Sequence, residues 1–230
     1  MLLTAQELVD GGLELADMVG SNFVTPAGKL RLINQSYAEW YDLILECNQD
    51  DFVGTTPTEF AVASGELSAP LPADFYNCIG IDKKIGGKWI ELRSFQFNKR
   101  NRLKSSYLYT ARTLYPSVKF RITGQKILFD SQDDASGDYR IWYTPTPPKA
   151  TLLTDTFFVE TSTHELYINY LFAVKALEKE ESSSTKQEMK LAELERKIRA
   201  TKQNRNDGEP EQISNYDQYN SISSDSDGWG

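Results

Sequence analysis

The alternation of apolar and polar positions is sharpest in residues 118–143. Val118-Lys119-Phe120-Arg121-Ile122 alternates strictly, then come Thr123-Gly124-Gln125 and Lys126-Ile127-Leu128-Phe129. A polar stretch, 130–137, separates these from Asp138-Tyr139-Arg140-Ile141-Trp142-Tyr143. β-Branched and aromatic runs divided by turn residues predict three strands of an antiparallel meander, the first with one apolar and one basic face. Thr144-Pro145-Thr146-Pro147-Pro148 ends the sheet, because proline fixes φ and brings no ladder donor. Residues 75–81 and 89–92 read as two more strands joined across Gly86-Gly87, entered through the extended Pro70-Leu71-Pro72. Residues 59–68 fit either a strand or an extended arm. Residues 95–116 form a long excursion with no assigned element, and such a loop is usually a working surface.

Helical periodicity frames this β region. Thr4-Ala5-Gln6-Glu7 is a capping box, in which Thr4 covers free amides and Glu7 reaches back. Leu8, Leu15, Ala16 and Val19 then share one face, with Gly20 placed to end the helix. Gly11-Gly12 weakens its middle by about 1 kcal/mol per glycine relative to alanine. In the second helix Thr25 caps, Pro26 occupies the first turn, and Leu30, Ile33, Tyr37, Trp40, Ile44 and Cys47 form a long stripe. Ser162-Thr163-His164-Glu165 reads as a second capping box before Tyr167, Tyr170, Val174 and Leu177. Thr185-Lys186-Gln187-Glu188 reads as a third, before a thin stripe of Leu191, Leu194 and Ile198.

The order helix, helix, strands, helix, helix gives an α+β fold class. N- and C-terminal helices form a helical bundle with an inserted antiparallel β unit and a flexible C-terminal tail. The expected divisions are N-terminal helices over 1–58, the β-rich insertion over 59–150, C-terminal helices over 151–205 and an acidic tail over 206–230. The tail is dominated by Asn, Asp, Ser and Gly, and cannot bury enough apolar surface to fold alone.

Charge sharpens this picture. The formal net charge of the 230 residues is -8. Residues 206–230 hold six acids and no bases, so the rest of the chain carries only -2. Residues 82–121 hold eleven bases against Asp82 and Glu91, or +9. A basic middle and an acidic end point to charged partners. Within the middle, Lys99, Arg100, Arg102 and Lys104 precede Tyr107 and Tyr109. That combination binds single strands or phosphates, or is simply solvated, or pairs with an acidic surface such as a neighbouring copy's tail.

Catalytic chemistry has little to stand on. His164 is the only histidine; at a helix start it is read as solvated or hydrogen-bonded, and no Ser–His–Asp set forms around it. Asp133-Asp134 and Asp225-Ser226-Asp227 lack the glycine and closing glutamate of a calcium loop. Cys47 and Cys78 have no metal spacing and read as small buried hydrophobes, which fits a reducing compartment. No run of 18 apolar residues spans a membrane, and the first residues lack the pattern of a secretion signal. The expectation is a protein that is not an enzyme, with no cofactor and no metal.

Three stretches, in this order and with helical flanks, carry a resemblance. They are Leu71-Pro72-Ala73-Asp74-Phe75, then Phe120-Arg121-Ile122-Thr123-Gly124-Gln125-Lys126-Ile127, then Tyr139-Arg140-Ile141-Trp142-Tyr143-Thr144-Pro145-Thr146-Pro147-Pro148. Over roughly residues 1–180 the chain resembles head-to-tail connector (adaptor) proteins of tailed bacteriophages. The resemblance implies a ring of about twelve copies, self-associated head to tail. Its expected place is the virion neck, joining the portal protein to a tail or nozzle protein after synthesis in the host cytoplasm. Genomic DNA would pass through the lumen without tight binding, since each phosphate contact would slow its passage. Interface candidates are Lys99, Arg100, Arg102, Lys104, Tyr107 and Tyr109 in the middle, and Tyr216, Tyr219 and Trp229 in the tail. The tail is expected to order on assembly, its aromatics filling pockets and its carboxylates meeting bases on the portal or a neighbour. The alternatives are another tail or baseplate subunit, or a nucleic-acid-binding module using residues 99–121.

Overall fold

The computed structural model describes residues 1–49, 51–95, 118–130 and 135–203. Its elements run β1 (Leu2–Thr4), α1 (Ala5–Leu15), α2 (Pro26–Cys47), β2 (Thr58–Val62), β3 (Ser68–Pro70), β4 (Phe75–Ile85), β5 (Lys88–Glu91), β6 (Lys119–Thr123), β7 (Lys126–Asp130), β8 (Gly137–Pro145), β9 (Thr156–Phe158), α3 (Ser162–Lys179) and α4 (Thr185–Gln203). The class is α+β, with four helices and antiparallel sheets among the described residues.

Capping chemistry sets the helix ends. At α1 the capping box of Thr4 and Glu7 forms as its sequence predicts. The helix stops at Leu15, short of Gly20, because Asp17 takes a left-handed conformation (φ 57°). Its N–H donates to Glu14 O and that of Met18 to Leu13 O, a Schellman closure with aspartate in the usual glycine position. Val19 therefore leaves the predicted apolar face and stands exposed. Thr25 and Pro26 start α2 as expected. Thr161, one residue before the expected Ser162, caps α3 by accepting from His164 N–H. Thr185 lies inside α4, and the Ser184 hydroxyl before it donates to Glu188, so the third capping box does not form as read.

The helices share one hydrophobic core. Leu8 and Leu13 of α1, Ile33, Trp40 and Ile44 of α2, Ile168 and Phe172 of α3, and Leu194 and Ile198 of α4 all belong to it. α3 runs through the middle and contacts the other three helices. It is buried far beyond the predicted stripe, with Ile168, Leu171, Phe172, Ala173 and Ala176 also inside. Gly11 and Gly12 let α1 approach it: a Cβ on Gly12 would fall 2.5 Å from Phe172 Cδ1, and one on Gly11 2.5 Å from Asn169 Nδ2. The glycines are thus a contact requirement, which a propensity argument alone reads as weakness. A two-stranded ribbon absent from the sequence reading, β1 with β9, closes over this core, pairing Leu2 with Phe158 and Thr4 with Thr156.

The β region has its own core and is not a meander. β6 and β7 form the predicted hairpin across Gly124 (φ 58°), but β7 continues to β3 in a three-stranded sheet, β3-β7-β6. β8 crosses to a second sheet, β2-β8-β4-β5. The ambiguous 59–68 stretch supplies most of β2 in one sheet and the start of β3 in the other. Phe120, Ile127 and Phe129 from the first sheet meet Val62, Ile81, Tyr139 and Ile141 from the second. Ser94 bridges to Phe120, stitching the β5 end of one sheet to β6 of the other. The crossing follows from β8's length: nine residues with Tyr139 and Ile141 inward can pair β2 on one side and β4 on the other. The predicted strands around Gly86-Gly87 are β4 and β5.

Candidate interaction surfaces

All nine candidates (Lys99, Arg100, Arg102, Lys104, Tyr107, Tyr109, Tyr216, Tyr219 and Trp229) lie outside the described residues, as do Asp133-Asp134 and Asp225-Ser226-Asp227. The structure does place the roots of these segments. Phe95 N–H donates to Phe120 O at 2.9 Å, and Phe120 N–H to Arg93 O at 3.1 Å. The chain therefore enters and leaves residues 96–117 close to one point, the edge of β6.

The outward face of the four-stranded sheet carries a cation–aromatic cluster. Strand alternation turns Tyr139 and Ile141 inward and Arg140 and Trp142 outward, and register sets Arg140 opposite Asp82. Arg140 Nε donates to Asp82 Oδ2 at 2.6 Å, and Trp142 Nε1 donates to the same oxygen at 3.2 Å. The guanidinium lies 4.7 Å from the Trp89 ring centre and 5.4 Å from that of Trp142, with Lys84 Nζ 5.6 Å from Trp89. Arg140 is thus committed inside the chain, to Asp82 and two rings.

A second cluster lies where α4 ends. Lys202 is 3% exposed, and its ammonium donates to Asp51 and, at 2.8 Å, to Glu160 Oε1. His164 Nδ1 sits 3.8 Å from Glu160 Oε2, and its ring packs 5.6 Å from Trp40. His164 is buried, which corrects the solvated reading; one turn into a helix that is central to the core, it has little exposure to water. Two carboxylates around one buried lysine hold the last turn of α4 onto the loop after α2 and the strand end before α3. That is an anchoring arrangement, and it roots the segment that follows residue 203.

Two concavities lie elsewhere on the described surface, each lined about equally by polar and apolar atoms. A groove of about 580 Å³ between α2 and α3 is lined by Arg31, Glu39, Asp42, Lys175 and Lys179, with Lys175 paired to Glu39 at 2.7 Å. A smaller one, about 180 Å³, is lined by Asp74, Trp142, Tyr143 and Pro145. Burial pushes the Cys78 thiol up to about 11 and also raises Cys47, so both stay protonated and poorly nucleophilic near neutral pH. Both are free and half-buried. Among the described residues no group of three His, Cys, Asp or Glu could hold a metal, and no helix is long and apolar enough to cross a membrane. No protein-family model matches the chain, and comparison with curated proteins gives no match.

The junction between the two cores was not visible in sequence. Tyr41 OH donates to Pro145 O at 2.8 Å and Tyr76 OH to Asp42 Oδ1 at 2.5 Å. Tyr41 stacks on Phe52 at 4.1 Å and meets Tyr76 edge-on at 6.3 Å. Pro145 reads from sequence only as a strand stop, yet its carbonyl is the acceptor that joins sheet to helix.

Proposed function

We propose that the chain is a structural assembly protein, a head-to-tail connector of a tailed bacteriophage that forms a ring between portal and tail. Its four helices act as a bundle, and the β unit projects from it. The observation that carries this reading is the convergence of the three stretches behind the resemblance. Leu71 N–H donates to Gln125 O at 3.1 Å, joining the first stretch to the second. Phe75 pairs with Pro145, Thr146 N–H donates to Asp74 O at 2.6 Å and Tyr143 OH to Asp74 Oδ1 at 2.8 Å, joining the first to the third. Segments far apart in sequence thus converge within the β unit, and the third of them reaches α2 through Pro145 O, which accepts from Tyr41 OH. A joint of backbone bonds and aromatic contacts suits a part that must hold two bodies at a fixed angle, and needs no reacting group.

The portal, a tail or nozzle protein and further copies of the chain are the partners in this reading, and the place of work is the virion neck. Negative-stain imaging of the purified chain, alone and mixed with the portal, tests it. Small rings that cap the portal are expected. A fibre, a tube or a strictly monomeric chain that ignores the portal would overturn it, and salt-sensitive binding to short DNA at physiological ionic strength would favour the nucleic-acid alternative.

A further inference from the structure

The outer face of the β1–β9 ribbon exposes an apolar pair at one end. Leu2 is 70% and Phe158 49% exposed, directly opposite each other across the ladder. Thr4 continues the same side of β1, and its hydroxyl donates to Glu7 at 2.9 Å, so the apolar pair runs straight onto the exposed face of α1. That face carries Glu7, Asp10 and Glu14, spaced three and four residues apart and all exposed. Residues 1–28 contain no Lys or Arg, and among the described residues none of the three carboxylates meets a base. An apolar centre bordered by one sign of charge has the anatomy of a docking surface.

The tip of the β4–β5 hairpin is its counterpart in chemistry. Ile85 is 41% exposed, and Lys84 and Lys88 flank it on the turn through Gly86 and Gly87, both at positive φ. Residues 83–90 hold three lysines and no acid. Here too an apolar side chain sits among charges of one sign, and the sign is opposite.

We propose that the ribbon–α1 surface of one copy receives the β4–β5 hairpin tip of a second copy, so that the chain associates head to tail. Two different, complementary patches on one polypeptide define a heterologous contact, which repeats until a ring closes. Apolar contact supplies the centre, and the carboxylate–lysine border sets partner and orientation. This rests on the ring reading above and adds the surfaces that make the ring.

Charge reversal on the full chain tests it. Asp10→Lys with Glu14→Lys makes the α1 side basic and spares the capping glutamate; Lys84→Glu with Lys88→Glu makes the hairpin acidic. Each double variant, checked for native circular dichroism, is expected to weaken self-association measured by mass photometry by about tenfold or more. Mixing the two variants should restore assembly, because alternating copies then present matched charges at every contact. The chain carrying all four changes should likewise assemble with itself. Wild-type rings together with silent reversals, or weakening without rescue in either combination, would overturn these surfaces while leaving the ring reading intact. A wild-type chain that stays monomeric alone and on the portal would overturn both.

Discussion

Replacing Gly12 by alanine sets two effects of similar size against each other. At an exposed helix interior alanine is favoured over glycine by about 1 kcal/mol. Gly12 is buried, and the added Cβ would lie 2.5, 2.9 and 3.0 Å from Phe172 Cδ1, Cγ and Cβ. Carbon atoms in contact sit about 3.5–4.0 Å apart, so α1 and α3 must separate locally by about 1 Å. The ring has no room to turn instead, because Phe172 is fully buried. Separation would also loosen the neighbouring approach of Gly11 to Asn169. Forcing one extra carbon into a filled core costs about 1–3 kcal/mol; three contacts at 3.0 Å or less put this site in the upper half of that range, so a net loss of about 1–2 kcal/mol remains after the helix gain. Urea unfolding followed by circular dichroism should show a lower midpoint at unchanged slope. Phe172→Leu should cost less in the Gly12→Ala background than alone, with a coupling of about 0.5 kcal/mol or more. A Gly12→Ala protein as stable as the parent would refute the close-approach argument.

Lys202→Met removes the cation that Asp51 and Glu160 share and leaves two partly buried carboxylates facing each other. A loss of about 3–5 kcal/mol in urea unfolding is expected, and an unchanged midpoint would show that the anchor is unimportant. Ile44→Asp places a charge in the fully buried centre of the helical core and should prevent soluble folding; a soluble, cooperatively unfolding variant would count against that core. His164→Ala removes a ring packed on Trp40 and should lower stability by about 1–3 kcal/mol without preventing assembly, as size-exclusion chromatography with unfolding curves would show. Hydrogen bonds from Lys190 and then Lys197 lower the Glu193 carboxyl from 4.5 to about 2, while Thr4 lowers Glu7 and the Leu152 and Thr151 amides lower Asp155. A depressed folded pKa stabilises above the unfolded value and loses that contribution as pH falls toward the folded one. Stability should therefore decline between about pH 4.5 and 2, and Glu193→Gln should make the decline shallower.

Local chemistry was legible where it is decided within a few residues. Thr25-Pro26 starts α2, Thr4 and Glu7 cap α1, and Gly124 turns β6 into β7, each through contacts within one turn of chain. The end of α1 was not, because Asp17 adopts positive φ where a reader looks for glycine. Period-two alternation located β6, β7 and β8, but alternation describes one strand's faces and does not choose its partner. β8 pairs with β2 and β4, more than fifty residues upstream, in preference to the adjacent hairpin. The β1–β9 ribbon was invisible for the same reason: three-residue strands 150 residues apart leave no local pattern. Charge bookkeeping found the basic middle, yet only the fold shows that Arg140 is committed to Asp82 and that Lys84 and Lys88 are presented at a hairpin tip.

In the proposed assembly the two patches of one copy stand on different cores. The ribbon–α1 surface belongs to the helical core and the hairpin tip to the β core, so the angle between them is set by the joint. Among the described residues that joint includes Tyr41 to Pro145, Tyr76 to Asp42, the Tyr41–Phe52 stack and Thr144 Oγ1 to Gln49 O at 3.4 Å. A head-to-tail contact repeats the same rotation at every step, and the number of copies that close a ring follows from that rotation. A change at the joint therefore acts differently from a change at either patch. Weakening a patch lowers affinity at constant ring size; altering the joint leaves each contact able to form and shifts the number of copies, or opens the ring into a helical filament. Of the three stretches that carry the resemblance, the third supplies Thr144 and Pro145 to the joint, where they would govern curvature, and each patch remains free to vary so long as its counterpart varies with it.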